Sequence, residues 1–277
     1  MTTTQLQRAR AFRALHERAG AFIIPNPWDA GTAKLLAALG FEALATTSLG
    51  VSAALGRPDG AGAVSRRELL DNCAAIAAAT DLPVSADLEN CYAHAPRAAA
   101  QMIKLAAEAG VVGGSIEDAT GDEEKPIYDF QLAVERVQAA VETARSLGFT
   151  FMLTARAENY LHGRRDLDDT IRRLQAFEKA GADVLYAPGL RDLATIRTVA
   201  SSVTRPLNVV VGMLDPAITA AELAQAGVKR ISIGGALCRL ALAHMMKGAR
   251  EMKERGGFTW LAEAIPSGEL RKTFTRQ

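Results

Sequence analysis

The residues best placed to do chemistry are acids and one arginine, each just past the end of a short apolar run. Asp87 and Glu89 stand two apart, Glu117-Asp118 follows a second run, and Arg156-Ala157-Glu158-Asn159 a third. Asp87, Glu89 and Glu117 form an all-oxygen set with no histidine or thiol beside them. Hard oxygen ligands select Mg²⁺ or Mn²⁺ over zinc, and Mg²⁺ keeps several of its waters when bound. Carboxylates this close repel one another unless a cation lies between them. Arg156 cannot lose its proton, and its planar fork suits a two-point grip on a substrate carboxylate. Thr47-Ser48-Leu49-Gly50 completes the set after an earlier run. Each piece has a plainer reading. Asp118 could cap the following helix, Arg156 could pair with Glu158 or Asp118, and Thr47–Gly50 could be a simple connection. Their joint placement after successive strands carries the argument.

The elements that would position these groups alternate along the chain. Strand patterns fall at Ala21–Ile24, Glu42–Thr46, Pro83–Ala86, Val111–Ile116, Thr150–Thr154, Asp183–Tyr186, Pro206–Val211 and Arg230–Ile233. Helical periodicity marks Gly31–Ala38, Ser65–Ala79, Ala95–Ala109, Phe130–Leu147, Leu167–Ala180, Leu193–Ser201 and Thr219–Gln225, with a first helix over Thr4–Arg18. Gly40, Gly110, Gly148, Gly181 and Gly227 each end a helical pattern, where a left-handed residue is expected. Eight strands each followed by a helix predict an α/β (β/α)₈ barrel, with residues 1–277 as a single domain. In such a barrel active-site groups hang from the C-terminal strand ends, so the acids and Arg156 meet at one mouth. A last helix from Ala236 to about Arg255, then a tail with Phe258, Trp260 and Leu261, has no strand left to serve. Residues 236–277 are therefore expected in subunit contacts of a homo-oligomer, a dimer or tetramer.

Bulk properties exclude other classes. Lys plus Arg (32) nearly balances Asp plus Glu (31), which leaves no basic face for nucleic acid or anionic membrane. No apolar stretch approaches the roughly 20 residues of a membrane span, and no signal peptide is read at the N-terminus. Cys73, Cys91 and Cys238 are odd in number and widely spaced, which fits a reducing compartment, with cytoplasm the expectation.

The run Ala45–Asp59 resembles the second-strand segment of the isocitrate lyase/phosphoenolpyruvate mutase superfamily. Pro83–Glu89 is similar to its metal-site segment, Gly114–Asp118 to its fourth-strand motif and Thr154–Arg156 to its fifth. Order and spacing are kept from Ile24 to about Val211. The resemblance implies that Asp87, Glu89 and Glu117 hold Mg²⁺ largely through waters, with Asp59 nearby. It further implies that backbone N–H groups of Thr47, Ser48, Leu49 and Gly50 cradle a 2-oxo acid carboxylate while Arg156 holds the other end. Tyr92 keeps its family position and could touch the ligand. Departures are equally specific. Lyases of the family carry a Lys-Lys-Cys-Gly-His run after strand four, whereas Ala119–Ile127 has neither cysteine nor histidine. Lys125 could stand in for the loop lysine of the mutase and hydrolase members, but their asparagine is missing. Family Gly-Tyr-Gly has become Cys91-Tyr92-Ala93, where Cys91 reads as an inert, half-buried thiol.

Three functions follow as expectations. The first is a Mg²⁺-dependent lyase that cleaves or forms a C–C bond through an enolate of a small 2-oxo or 2-hydroxy di- or tricarboxylic acid, with Arg156, Asp59 and Lys125 as catalytic groups. The second is a P–C mutase or hydrolase on a phosphonopyruvate-like substrate. The third is a barrel that binds a 2-oxo acid without turnover.

Overall fold

The computed structural model describes residues 3–60 and 62–275. Strands β1 (Phe22–Ile24), β2 (Leu44–Ala45), β3 (Val84–Ala86), β4 (Gly113–Glu117), β5 (Met152–Arg156), β6 (Val184–Tyr186), β7 (Leu207–Val210) and β8 (Val228–Ser232) are all parallel. Helices α1 (Gln5–Glu17), α2 (Ala30–Ala38), α3 (Ser48–Ala54), α4 (Arg66–Ala78), α5 (Pro96–Glu108) and α6 (Phe130–Ser146) occupy the first half. The second half adds α7 (Leu167–Lys179), α8 (Leu193–Ser201), α9 (Ala220–Gln225), α10 (Ala236–Arg255) and α11 (Ser267–Thr275). The sheet order β1-β8-β7-β6-β5-β4-β3-β2 makes a (β/α)₈ barrel.

Local chemistry explains the helices. On α7 the buried residues Thr170, Arg173, Leu174 and Phe177 recur at helical spacing, and Asp166 caps the start by accepting the Asp169 N–H at 2.9 Å. Ser65 and Glu68 form a reciprocal capping box on α4. Left-handed glycines end the helical patterns at Gly40, Gly110, Gly181 and Gly227. Gly148 departs from that expectation, because Leu147 already leaves α6 in an extended conformation.

Three layers fill the barrel. Outward-facing strand residues such as Leu153, Leu185 and Ile231 pack on the helices. The N-terminal floor is an apolar plug in which Phe12 of α1 meets Phe22, Val112, Met152 and Val184. A Cβ on Gly113 would come within 2.9 Å of the Phe12 ring, so glycine in β4 is what lets α1 seat there. Above the plug the interior turns polar, with Ser85, Thr154, Asn208, Arg230 and Ser232 all buried.

Between β1 and β2 the barrel closes without a ladder. The Ala45 N–H donates to the Pro25 carbonyl at 3.0 Å. Asn26 Nδ2 donates to the Thr46 carbonyl at 2.9 Å, while its Oδ1 accepts the N–H groups of Ile233 and Gly234. One amide thus stitches β1 to β2 and to the end of β8. It also occupies two amides of the glycine-rich turn after β8, those of Ile233 and Gly234.

Two elements were not legible in the periodicity. Thr47–Gly50 opens the short helix α3, and the tail after α10 forms α11, whose Phe274 reaches α2 at Gly31. Trp260 packs over Gly248 of α10, whereas Phe258, Leu261 and Ile265 stay exposed beside Leu240, Met245 and Met246 of α10.

Candidate active site

The mouth is built around Arg156. Its Nη1 meets Asp87 Oδ1 at 2.9 Å, its Nη2 meets Glu117 Oε2 at 3.2 Å, and its Nε donates to Glu158 Oε1 at 2.7 Å. Register explains the convergence: Arg156 on β5 stands directly beside Glu117 on β4 and Tyr186 on β6. Its guanidinium also lies 5.0 Å from the Tyr186 ring centroid. The cation expected between the carboxylates is therefore in place. The ion pair with Glu158, considered above as a plain alternative, is present together with the pairs to Asp87 and Glu117. Glu158 itself is a site acid that the strand-end pattern left unassigned.

The second wall comes from α3. Asp87 Oδ2 accepts the Ser48 N–H at 3.2 Å, and the Asp87 N–H donates to Thr46 Oγ1 at 2.9 Å. Ser48, Leu49 and Gly50 form the first turn of α3, where N–H groups have no carbonyl of their own helix to donate to. Gly50 is required by packing, since a Cβ there would fall 2.5 Å from Trp28 Cβ.

The loop after β3 carries unusual backbone. Glu89, Cys91 and Tyr92 have φ of 49°, 60° and 55°, a left-handed conformation that costs non-glycine residues about 1–2 kcal/mol each. Arg136 of α6 holds this loop. It donates from Nη2 to the Asn90 carbonyl at 2.6 Å and from Nη1 to the carbonyls of His94 (2.7 Å) and Ala93, while lying 4.2 Å over the Tyr128 ring. Held in that bend, Tyr92 donates its hydroxyl to Glu89 Oε1 at 2.7 Å. Cys91 is buried, and burial pushes its thiol up to about 12, which fits an inert cysteine.

Burial also raises the acids. The Glu117 carboxyl sits well above the usual range, chiefly through desolvation, with Arg156 opposing and Glu158 and Asp87 adding like charge. Glu89 is raised by burial against the Tyr92 hydrogen bond. Asp59, on the loop after α3, is raised chiefly by desolvation of its carboxyl, with a Ser48 hydrogen bond opposing and the Asp87 charge adding to the rise. Asp118 is no helix cap. It accepts the Glu158 N–H at 2.8 Å and meets Arg173 Nη1 at 3.1 Å, and burial raises it to about 7.

Lys125 is not brought to the acids. Residues 121–125 are exposed, and their loop is pinched shut by the Ala119–Ile127 bridge and the Thr120 N–H donating to the Pro126 carbonyl at 2.9 Å. Among the described residues no three acidic, histidine or cysteine side chains converge closely enough to grip a metal directly. The donors Asp87, Glu89 and Glu117 still suit a hard cation held through its waters, with few direct carboxylate bonds. The cavity at the mouth is small, about 70 Å³, and is lined by Thr46, Thr47, Asp87, Arg156, Tyr186 and Arg230 among others. A much larger cleft lies at the opposite end against α1, away from these groups.

A (β/α)₈ barrel with acids and an arginine at its C-terminal mouth is a frame that can hold a hard cation or an anionic ligand. The phosphoenolpyruvate phosphomutase family model matches residues 12–253, and the chain belongs to that family. A solved protein of Burkholderia cenocepacia J2315, classed as a candidate lyase/mutase, is 56% identical with a TM-score of 0.95, covering 98% of this chain and 96% of its own. Oxaloacetate decarboxylase of Pseudomonas aeruginosa is 27% identical, over 95% of this chain and 90% of its own length. A phosphonopyruvate hydrolase solved with oxalate and Mg²⁺ is 23% identical and shares the fold, with a TM-score of 0.86 over 99% of this chain and 95% of its own. No helix among the described residues is long and apolar enough to cross a membrane.

Proposed function

We propose that the chain is a Mg²⁺-dependent enzyme that makes or breaks a C–C bond beside the carboxylate of a small 2-oxo or 2-hydroxy acid. The single observation that carries this reading is Arg156 locked among Asp87, Glu117 and Glu158, facing the first turn of α3. Asp87, Glu89 and Glu117 would hold the cation, which supplies positive charge to an oxygen of the bound acid. The N–H groups of Leu49 and Gly50 would orient the substrate carboxylate, that of Ser48 being held by Asp87, with Tyr92 at the rim. Arg156 would counter the enolate charge as it develops, and such a donor is typically worth roughly 10²–10³ in rate. Asp59 would exchange a proton with the ligand. The small cavity favours an acid of few carbons. Exposed apolar groups on α10 and the tail support a homo-oligomer, and the three free cysteines support a cytoplasmic setting.

The exposed, self-closed loop at Lys125 favours one second reading, binding without turnover, because among the described residues Lys125 makes no ion pair with the site acids. The family model keeps P–C chemistry on the test list. Turnover of oxaloacetate, methylisocitrate, isocitrate, dimethylmalate and phosphonopyruvate with Mg²⁺, followed by ¹H and ³¹P NMR, separates all three. We expect product from a carbon acid, abolished by EDTA and restored by Mg²⁺ or Mn²⁺. Full activity in metal-stripped protein would refute the metal role, and turnover of phosphonopyruvate alone would move the reaction to P–C cleavage.

A further inference from the structure

The barrel interior holds a second guanidinium with no counter-ion among the described residues. Arg230 on β8 is 6% exposed, and its contacts are neutral: Nε donates to Asn208 Oδ1 at 2.8 Å and Nη2 to Thr154 Oγ1 at 2.9 Å. Its Nη1 is buried with no hydrogen-bond partner among the described residues. An arginine stays charged in a protein, and a buried charge without a partner costs several kcal/mol. The acids that could balance it are engaged elsewhere, with Arg156. The groups that act on Arg230 are burial, Tyr186 and Arg156; no carboxylate is among them, and burial pulls its pKa down to about 10. His16, on the floor side, adds no second positive charge, because burial and Arg230 hold its ring down to about 3 and it stays neutral. Arg230 also lines the mouth cavity, on a wall made with Asn26, Tyr186, Asn208, Ser232 and Gly234.

We propose that Arg230, with Asn208 and Ser232 beside it, forms an anion subsite that takes the second carboxylate of the substrate and so selects diacids over monoacids. Asn208 Nδ2 donates to Ser232 Oγ at 3.0 Å, and this turns the Asn208 oxygen toward Arg230. The guanidinium thereby reaches from β8 across the barrel to Thr154 of β5, below Arg156, and lines the same cavity as Asp87. A dianionic acid would span the two arginines: one end would face Arg156 and the cation that the acids would hold, the other Arg230. The subsite's preference for diacids rests on the function proposed above; the anion site itself does not.

Calorimetry and thermal melting of the full-length protein test both parts. Malate and lactate share a 2-hydroxy acid end and differ by one carboxylate. With Mg²⁺ present, malate should bind at least tenfold tighter than lactate, and Arg230→Met should remove that advantage while leaving lactate affinity unchanged. Methionine keeps much of the volume without the charge, and replacing a buried charge by an apolar group is often neutral or stabilising, so the variant is expected to fold. Arg230→Lys should keep part of the preference. Acetate carries only the group the subsite takes. It should raise the wild-type melting temperature saturably, in parallel with no such rise in Arg230→Met, even if neither malate nor lactate binds. That last result would overturn the proposed function and keep the subsite. No acetate effect in the wild type, or an unchanged malate preference in Arg230→Met, would overturn the subsite.

Discussion

The two halves of the mouth are built on opposite terms. From α3 through β5 the wall is acidic, and its one arginine is consumed by three carboxylates. From β6 through β8 the wall carries an arginine whose partners are neutral, Asn208 of β7 and, across the barrel, Thr154 of β5, with no acid bonded to it among the described residues. The acidic half is also the strained half, with its left-handed residues at Glu89, Cys91 and Tyr92 and a distant helix residue, Arg136, holding them. The neutral half is made of ordinary strand positions. The difference teaches that charge in this site is separated rather than cancelled. On the proposed reading, a cation would be held on the acidic side and an anion beside Arg230.

The sharpest way to break that contrast is at Arg156. Arg156→Ala leaves Asp87, Glu117 and Glu158 facing one another, and removing one partner of a buried charged pair costs roughly 3–5 kcal/mol. We expect the metal-free variant to melt well below wild type, and the Mg²⁺-loaded variant to lose more than tenfold in diacid affinity. Arg156→Lys keeps the charge without the fork and should fall between the two. Unchanged affinity in folded Arg156→Ala would confine this arginine to holding the acids together.

A gentler test uses pH. Burial raises the folded Glu117 pKa above its value in the unfolded chain, about 4.3 for a free glutamate. Its favourable contribution is complete at low pH and is lost as pH rises through the raised value. Metal-free protein should therefore melt a few degrees lower at pH 8 than at pH 5, relative to the Mg²⁺-loaded form. Glu117→Gln should flatten that difference. Arg230, lowered only to about 10, keeps its charge through the same range, so acetate binding should stay level between pH 5 and 8. A metal-free melting curve that rises with pH in step with the loaded form would remove Glu117 from the acidic pair.

How much of this was legible follows from what each residue answers to. Asp87, Glu117 and Arg156 fall at strand ends, and the strand pattern alone carries such residues to one mouth. Strand and helix positions held to within a few residues, and β2 shrank to two because it lies at the seam. Arg136 and Arg173 were not legible as structural residues, although both sit at core-facing positions of their helices beside Val137 and Leu174. A charged residue in an apolar helical stripe is the signal that could have found them. Arg230 sits inside a barrel strand next to Lys229, and alternation demands that one of the two face inward. The strained bend at Glu89–Tyr92 has no such mark, since Cys91 stands at φ 60° without being glycine. Lys125 was chosen by resemblance alone, and a loop closed by its own hydrogen bonds keeps it outside.

The seam between β1 and β2 has a consequence for how the molecule breathes. Where other neighbouring strands share a ladder, here a backbone bond and the Asn26 amide do the joining, and Asn26 links positions 207 and 208 residues apart in the chain. Contacts that distant in sequence form late, because the long intervening loop must first be ordered. Local opening follows the fewest bonds. Amide hydrogen exchange should therefore be faster at Ala45, Ile233 and Gly234 than at Ser115 and Ile116 in the middle of β4, and Asn26→Ala should widen the gap. Equal protection at all five would mean that the barrel opens only as a whole.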